Sequence, residues 1–291
     1  MKYRALVTAE VIKPMLEQFS DRIEFVYDGY NIDHEVMPHN ELIEKVADYD
    51  ILICEYDTID RDVLDNAKNM KIIICCRGGV KSVIDIDAAM EKKIIICNNG
   101  GRNANAVSDL TMGYILDLTR NITLTNNLIF NRVITTDVKS KPDEYKDTVW
   151  GLDNNSPFIR FRGTSINYMT LGLVGCGCAG QLVAKKAEAF GMKVIAYDPY
   201  IDPAKVPESV ELVGFDEFLN RSDIVSLHCI VSPQTKNMFN KEAFAKMKKG
   251  SYFINTARGE LVVEEDLIEA LNSHHLAGAA IDVTVKEPIA S

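Results

Sequence analysis

Residues 171–186 constrain this chain more than any other stretch. Leu171-Gly172-Leu173-Val174 reads as a strand, runs directly into Gly175-Cys176-Gly177-Cys178-Ala179-Gly180, and continues as Gln181-Leu182-Val183-Ala184-Lys185-Lys186, the opening of a helix. In a strand–turn–helix unit the first glycine of a GxGxxG spacing allows the tight turn. The second lets a pyrophosphate approach the backbone, and the third lets the helix pack close to the strand. The helix N-terminus then offers unpaired amides to the phosphates. Three glycines in six residues also occur in ordinary turns, so the context carries the argument. The next strand, Lys193 to Tyr197, ends on Asp198, about twenty residues beyond the glycines. A carboxylate there accepts hydrogen bonds from ribose hydroxyls and repels the extra phosphate of NADP, which favours NAD. The competing reading of Asp198 is a strand-end aspartate in a surface turn before Pro199.

The rest of the chain shares this grammar. Ala5 to Val7, Phe25 to Tyr27, Ile51 to Cys54, Ile72 to Cys76 and Ile94 to Cys97 are strand-length and several are continuously apolar, as in a parallel sheet covered on both faces. Glu41 to Ala47 and Arg61 to Asn69 carry apolar residues at helical spacing between them, giving an open α/β domain. After the turn-forming run Asn98 to Asn103 comes a helix over Asn103 to Asn121, apolar around much of its circumference. Such a helix must be buried on several sides, by a domain core or by a second subunit. Arg132 to Thr170, with the only tryptophan, Trp150, reads as an irregular connector. Strands resume at Leu171 and recur at Val194 to Tyr197, Ile224 to Leu227, Tyr252 to Ile254 and Ala277 to Ile281. At 291 residues two domains are expected, 1–102 and 103–291.

Composition narrows the partners. A formal charge of -10 opposes a nucleic-acid partner, and no apolar run reaches membrane-spanning length. Arg4 and Glu10 interrupt the stretch where a signal peptide needs an apolar core, so the expected compartment is the cytoplasm. The seven cysteines lack zinc-type spacing and mostly sit in or beside apolar runs, which suits packing in a reducing compartment and gives no metal site.

Three charged residues lie at or just past strand ends of the second domain, where open α/β sheets bind ligands: Arg258, Asp282 and Glu287. Arginine offers a rigid, permanently charged fork to a carboxylate, so Arg258 is the natural anchor for an acidic substrate. Glu287 can orient an acid/base partner and raise its pKa. Each alone is more often a solvated ion pair.

The segments CRGGVKSVIDIDAA, GGRNANAVSDLTMGYILDLTRN, GLVGCGCAG, AYDPY, SDIVSLHCIVSPQTKNMFN, MKKGSYFINTARGELVVEEDLIEAL and AGAAIDVTVKEP follow one another in a known order. From about Cys76 onward the chain resembles the D-isomer-specific 2-hydroxyacid dehydrogenases, which include phosphoglycerate dehydrogenase. The resemblance implies a Rossmann-type, doubly wound parallel-sheet cofactor domain at 103–291, and a flavodoxin-like α/β substrate domain at 1–102. It implies NAD as cofactor, a small D-2-hydroxy or 2-oxo acid as substrate, and a homodimer formed through the cofactor domain.

Its residue-level implications are specific. Arg258 matches the arginine that binds the substrate's carboxylate and carbonyl, and Glu287 the glutamate that pairs with a catalytic histidine. Gly78, Gly79 and Val80 match the loop whose amides receive the substrate carboxylate, with Val80 also near the nicotinamide. Cofactor contacts fall on Gly175, Gly177, Cys178, Ala179 and Gly180 at the pyrophosphate turn and on Asp198 at the ribose. Cys229 and Thr235 lie along the cofactor, and Thr256, Ala257, Arg258 and Asp282 beside the nicotinamide.

The chain also departs from the pattern. The family's histidine lies downstream of the Glu-Pro pair, whereas this sequence stops at Ser291, three residues past Pro288, before the helix that returns to the first domain. The expectation is an incomplete version of a longer enzyme. The five histidines are His34, His39, His228, His274 and His275. His228 lies on the cofactor side, where the family does not use it as the acid, and His274 and His275 end a helix, solvated or facing its dipole. Ile166 to Thr170 replaces a Leu-x-Gly-Lys-Thr run, and Cys178-Ala179 replaces a pair ending in isoleucine while leaving its amides available.

Two functions from different classes therefore stand: a hydride-transferring oxidoreductase on 2-hydroxy acids, and an NAD(H)-binding regulatory or scaffold protein with little turnover. A substrate change, to formate or a bulkier hydroxy acid, is a third option decided by the loop Arg77 to Lys81. Lys81 and Arg102 could meet a substrate phosphate or simply be exposed cations.

Overall fold

The computed structural model describes residues 2–134 and 157–287. Trp150, most of the expected connector and the residues from Pro288 onward lie outside these. The chain divides into two compact units, Met1–Arg102 and Asn103–Ser291.

The first unit contains β1 (Tyr3–Val7), α1 (Lys13–Glu17), β2 (Ile23–Tyr27), α2 (Tyr30–Asp33), α3 (His39–Lys45), β3 (Ile51–Cys54), α4 (Arg61–Asn66), β4 (Ile72–Cys75), α5 (Ile86–Glu91) and β5 (Ile95–Asn98). All its strand pairings are parallel, in the order β2-β1-β3-β4-β5, which is the flavodoxin-like arrangement. Asp60 and Asp85 cap α4 and α5 by accepting the amides of Val63 and Ala88.

One face of this sheet is filled by Leu6, Leu52, Cys54, Ile73 and Cys75 with residues of α3, α4 and α5; the other by Ala5, Val7, Ile51 and Ile53. That second cluster covers β1 to β3. Among the described residues nothing equivalent covers β4 and β5, where Ile74 is 36% and Ile95 59% exposed. Burial on both faces therefore holds for β3 and fails for β4 and β5, because α4 and α5 both pack into the first cluster.

The second unit contains α6 (Ala104–Arg120), α7 (Ile122–Phe130), α8 (Pro157–Arg160), β6 (Thr170–Val174), α9 (Cys178–Ala189), β7 (Lys193–Tyr197), β8 (Val210–Leu212), α10 (Phe215–Arg221), β9 (Ile224–Leu227), α11 (Lys241–Lys246), β10 (Ser251–Asn255), α12 (Glu264–Asn272) and β11 (Leu276–Ile281). Its six parallel strands run β11-β10-β9-β6-β7-β8. Renumbered from β6, this is the 3-2-1-4-5-6 order of the dinucleotide-binding sheet, and the strand order reverses between β6 and β9. β6 and β9 are the central pair, and Leu171 to Val174 and Ile224 to Leu227 are all buried.

Phe239, Phe244 and Phe253 are fully buried and pack ring to ring on one side of the sheet, and the fully buried Phe218 stacks on Phe215. On the other side α6 contributes Met112 and Ile115 to a cluster with Leu171, Leu173, Val183 and Ala187. The buried residues of α6, at 104, 108, 111, 112, 115 and 119, form one stripe, while Leu110 and Gly113 are exposed. The expectation of burial on several sides is thus met on one. No helix among the described residues is long and apolar enough to cross a membrane.

Candidate functional site at the glycine-rich turn

The carboxyl ends of β6 and β9 define the switch point of the second sheet, and the glycine-rich turn leaves β6 there. Gly175 has φ +92, and a Cβ on it would lie 2.8 Å from the His228 carbonyl oxygen just past β9, so two backbones meet where no side chain fits. A Cβ on Gly180 would overlap the carbonyl oxygen of Gly175, which fixes the approach of α9 to the turn. At Gly177 the opposite holds: nothing lies within 4 Å of the added atom. That open space stands at the start of α9, for which Gly177 is the N-cap residue without a side-chain cap. The first amides of α9, beginning with Cys178 and Ala179, therefore face an unobstructed surface suited to an anion.

Asp198 ends β7 beside this turn. Its Oδ2 accepts the amide of Cys176 at 2.9 Å, and its Oδ1 accepts the amides of Tyr200 and Ile201 at 3.1 Å each. The carboxylate thus ties the glycine turn to the neighbouring strand end and, with about four lone-pair sites, retains acceptor capacity. Gln181 closes the turn from below, donating to the carbonyls of Cys176 and Lys205 at 2.9 and 3.0 Å.

At the end of β10, Asn255 is 1% exposed; its Oδ1 accepts the amide of Ala257 at 3.0 Å and its Nδ2 donates to the carbonyl of Arg258 at 2.8 Å. Arg258 is exposed, extended at φ -153 and ψ 142, and its Nη1 donates to the carbonyl of Ala257 at 2.6 Å. Thr256 is buried with its hydroxyl 3.3 Å from that of Thr111 on α6. A Cβ on Gly259 would overlap the backbone of Thr284, so the Arg258 turn abuts the segment after β11. In that segment Glu287 Oε1 accepts the amide of Thr284 at 3.1 Å, and Glu264 accepts that of Val285 at 2.8 Å. The amide of Asp282 donates to the Asn255 carbonyl at 2.9 Å.

The sequence model described as D-isomer specific 2-hydroxyacid dehydrogenase, NAD binding domain, matches residues 131–291. The D-3-phosphoglycerate dehydrogenase of Methanocaldococcus jannaschii is 38% identical over 252 residues, 85% of this chain and 44% of that protein. The hydroxypyruvate reductase of Blautia hydrogenotrophica is 33% identical over 249 residues, 86% of this chain and 72% of that protein. The structure of D-lactate dehydrogenase with NAD+ from Lactobacillus jensenii superposes with a TM-score of 0.76 at 26% identity, covering 98% of this chain and 80% of that one. The chain belongs to the D-isomer-specific 2-hydroxyacid dehydrogenase family. It spans 44% of the length of the first of these relatives and 72% of the second.

The second unit carries the family's NAD-binding domain, and the space at Gly177 together with the free end of α9 fits a pyrophosphate. Of the other residues expected along the cofactor, Cys229 is half-buried and its thiol is pushed up to about 11 by burial. Thr235 spends its hydroxyl on its own loop, donating to the Ile230 carbonyl at 2.7 Å and accepting the Ser232 amide at 2.8 Å. His228 holds Nε2 2.9 Å from Ser226 Oγ, and burial pushes its pKa down to about 4, so it is neutral at physiological pH. His274 follows α12 in a left-handed conformation at φ 55. His275 is half-buried, with its Nε2 3.0 Å from the Met247 carbonyl oxygen.

In the first unit the amides of Gly78, Gly79 and Val80 donate to no acceptor among the described residues, while Asn98 Nδ2 donates to the Gly78 carbonyl at 2.7 Å. Arg102 pairs at 2.6 Å with Glu55, which is 4% exposed, so its charge is already neutralised; Lys81 is exposed. Cys54, Cys75 and Cys176 are buried as expected of packing thiols, but Cys97 and Cys178 are exposed, the first on an edge strand and the second on the first turn of α9.

Sequence reasoning did not single out Asn255 or Gln181. The only signal for Asn255 was its place between an apolar strand and the Thr-Ala-Arg-Gly turn.

Proposed function

We propose that this chain forms the cofactor-binding and carboxylate-anchoring parts of an NAD-dependent dehydrogenase acting on a small D-2-hydroxy acid or its 2-oxo acid. When bound, NAD supplies the hydride-carrying nicotinamide. In this reading 103–291 is the dinucleotide-binding domain, with the turn Gly175, Gly177, Cys178, Ala179 and Gly180 on the pyrophosphate and Asp198 on the ribose. Cys229, Thr235, Thr256, Ala257 and Asp282 lie along the cofactor. Residues 1–102 are the substrate domain, in which the amides of Gly78, Gly79 and Val80 receive a carboxylate. In the second unit Arg258 anchors a substrate carboxylate, and Glu287 supports an acid/base histidine.

The observation that carries this reading is the combination at the switch point: an open Gly177, a helix end with free amides, and Asp198 hydrogen-bonded to the turn. The alternative is an NAD(H)-binding regulatory or scaffold protein on the same fold with little turnover. Following NADH oxidation with a panel of 2-oxo acids separates the two. Turnover that Arg258→Ala abolishes, with NADH affinity retained, supports the first; tight NADH binding with no turnover on any acid supports the second.

A homodimer belongs to the same proposal. No residue of α7 is fully buried, and Ile122, Leu124, Ile129 and Phe130 are 52%, 49%, 62% and 82% exposed, an apolar surface suited to a second copy. All seven cysteines are free, in keeping with a cytoplasmic setting.

A further inference from the structure

We propose that Asn255 is a positioning residue for Arg258 and thereby sets the affinity of the site for the substrate's carboxylate. The inference rests on Arg258 being the carboxylate anchor. Asn255 uses both halves of its buried amide on the turn that carries Arg258: Oδ1 takes the Ala257 amide before it and Nδ2 holds the Arg258 carbonyl after it. Its own carbonyl takes the Asp282 amide, so one residue links the exits of β10 and β11. On the far flank the Gly259 backbone is pressed against Thr284. Arg258 is therefore held on both sides, and its exposed guanidinium starts from a fixed backbone.

Only a side chain of this length with one acceptor and one donor completes the clamp. Aspartate keeps the acceptor, but its carboxylate faces the Arg258 carbonyl without a hydrogen to share. Serine reaches the Ala257 amide and falls short of the carbonyl. Protonated aspartic acid, by contrast, regains a donor, and burial raises the pKa of such a group. The charged or titratable groups around Asn255 are Arg258, Asp282 at the exit of β11, Glu264 on α12 by way of Val285, and His228, one residue past the β9 neighbour Leu227 and neutral above about pH 4.

The test is calorimetric titration of oxamate, a 2-oxo acid analogue, into the NADH complex of the wild type and of Arg258→Ala, Asn255→Asp and Asn255→Ser. Loss of one buried hydrogen bond predicts oxamate binding about tenfold weaker in Asn255→Asp at about pH 8, with NADH affinity within about twofold of wild type. On acidification to about pH 5.5, Asn255→Asp recovers to within about threefold of the wild type measured at the same pH, whereas Asn255→Ser stays weak at both. Wild-type oxamate affinity in Asn255→Asp at the higher pH, no recovery on acidification, or a parallel loss of NADH affinity would overturn the inference. If Asn255→Asp does not fold, wild-type oxamate affinity in Asn255→Ser overturns it equally. Unchanged oxamate binding in Arg258→Ala contradicts the anchor assignment itself, independently of Asn255.

Discussion

His228 links the cofactor turn to stability through its protonation. Unfolded, its imidazole titrates near the ordinary value of 6.5; folded, burial pushes the pKa down to about 4. Between these values the unfolded chain binds a proton that the folded chain does not, so stability is full above about pH 6.5 and is lost as pH falls toward about 4. Urea midpoints across that window should fall with pH in the wild type and fall less steeply in His228→Gln; parallel slopes would show that the burial of His228 has no such effect. At the same scale, the steric demands at Gly175, Gly177 and Gly180 were legible in the spacing of the motif. Asn255 was not, since its importance lies in which carbonyl and amide it meets, and that depends on the folded turn. Arg102 looked free to meet an anion because its partner Glu55 lies 47 positions away in sequence.

Elements were legible where local pattern and tertiary environment agreed. β3 is apolar and buried at every residue, β9 is buried throughout with Ser226 its one polar residue, and β6 is buried from Leu171 onward. β8 went unnoticed because Val210–Leu212 is three residues long and holds Glu211, a short edge strand with little period to read. Ile94 to Cys97 is as apolar as a strand covered on both faces, yet β5 is an edge strand with Ile95 and Cys97 exposed. α11 shows a cap that propensity alone would not weigh: Asn240 Oδ1 accepts the amides of Glu242 and Ala243 at 3.1 Å each. Asn240→Ala should destabilise the second unit by about 1 kcal/mol in chemical denaturation and leave NADH affinity unchanged. An unchanged denaturation midpoint would mean that the cap contributes nothing to the fold.

At the scale of the whole molecule, two strand orders sort the chain into two kinds of open sheet, and only the second places a glycine-rich turn at its switch point. The apolar side chains left exposed on α7 are the observation behind the proposed dimer. Replacing Phe130 and Ile129 together with aspartate should turn a dimer into a monomer in sedimentation velocity; a monomeric wild type at tens of micromolar would refute the assignment. The central claim, that the Gly175–Gly180 turn grips a dinucleotide, is tested most directly by titrating NADH into wild type and Gly177→Val by calorimetry, with thermal denaturation alongside. The space at Gly177 predicts saturable binding by the wild type and a loss of at least about tenfold in the variant, with the melting temperature of the unliganded protein preserved. Equal NADH affinity in the two proteins, or no heat from folded wild type, would contradict it.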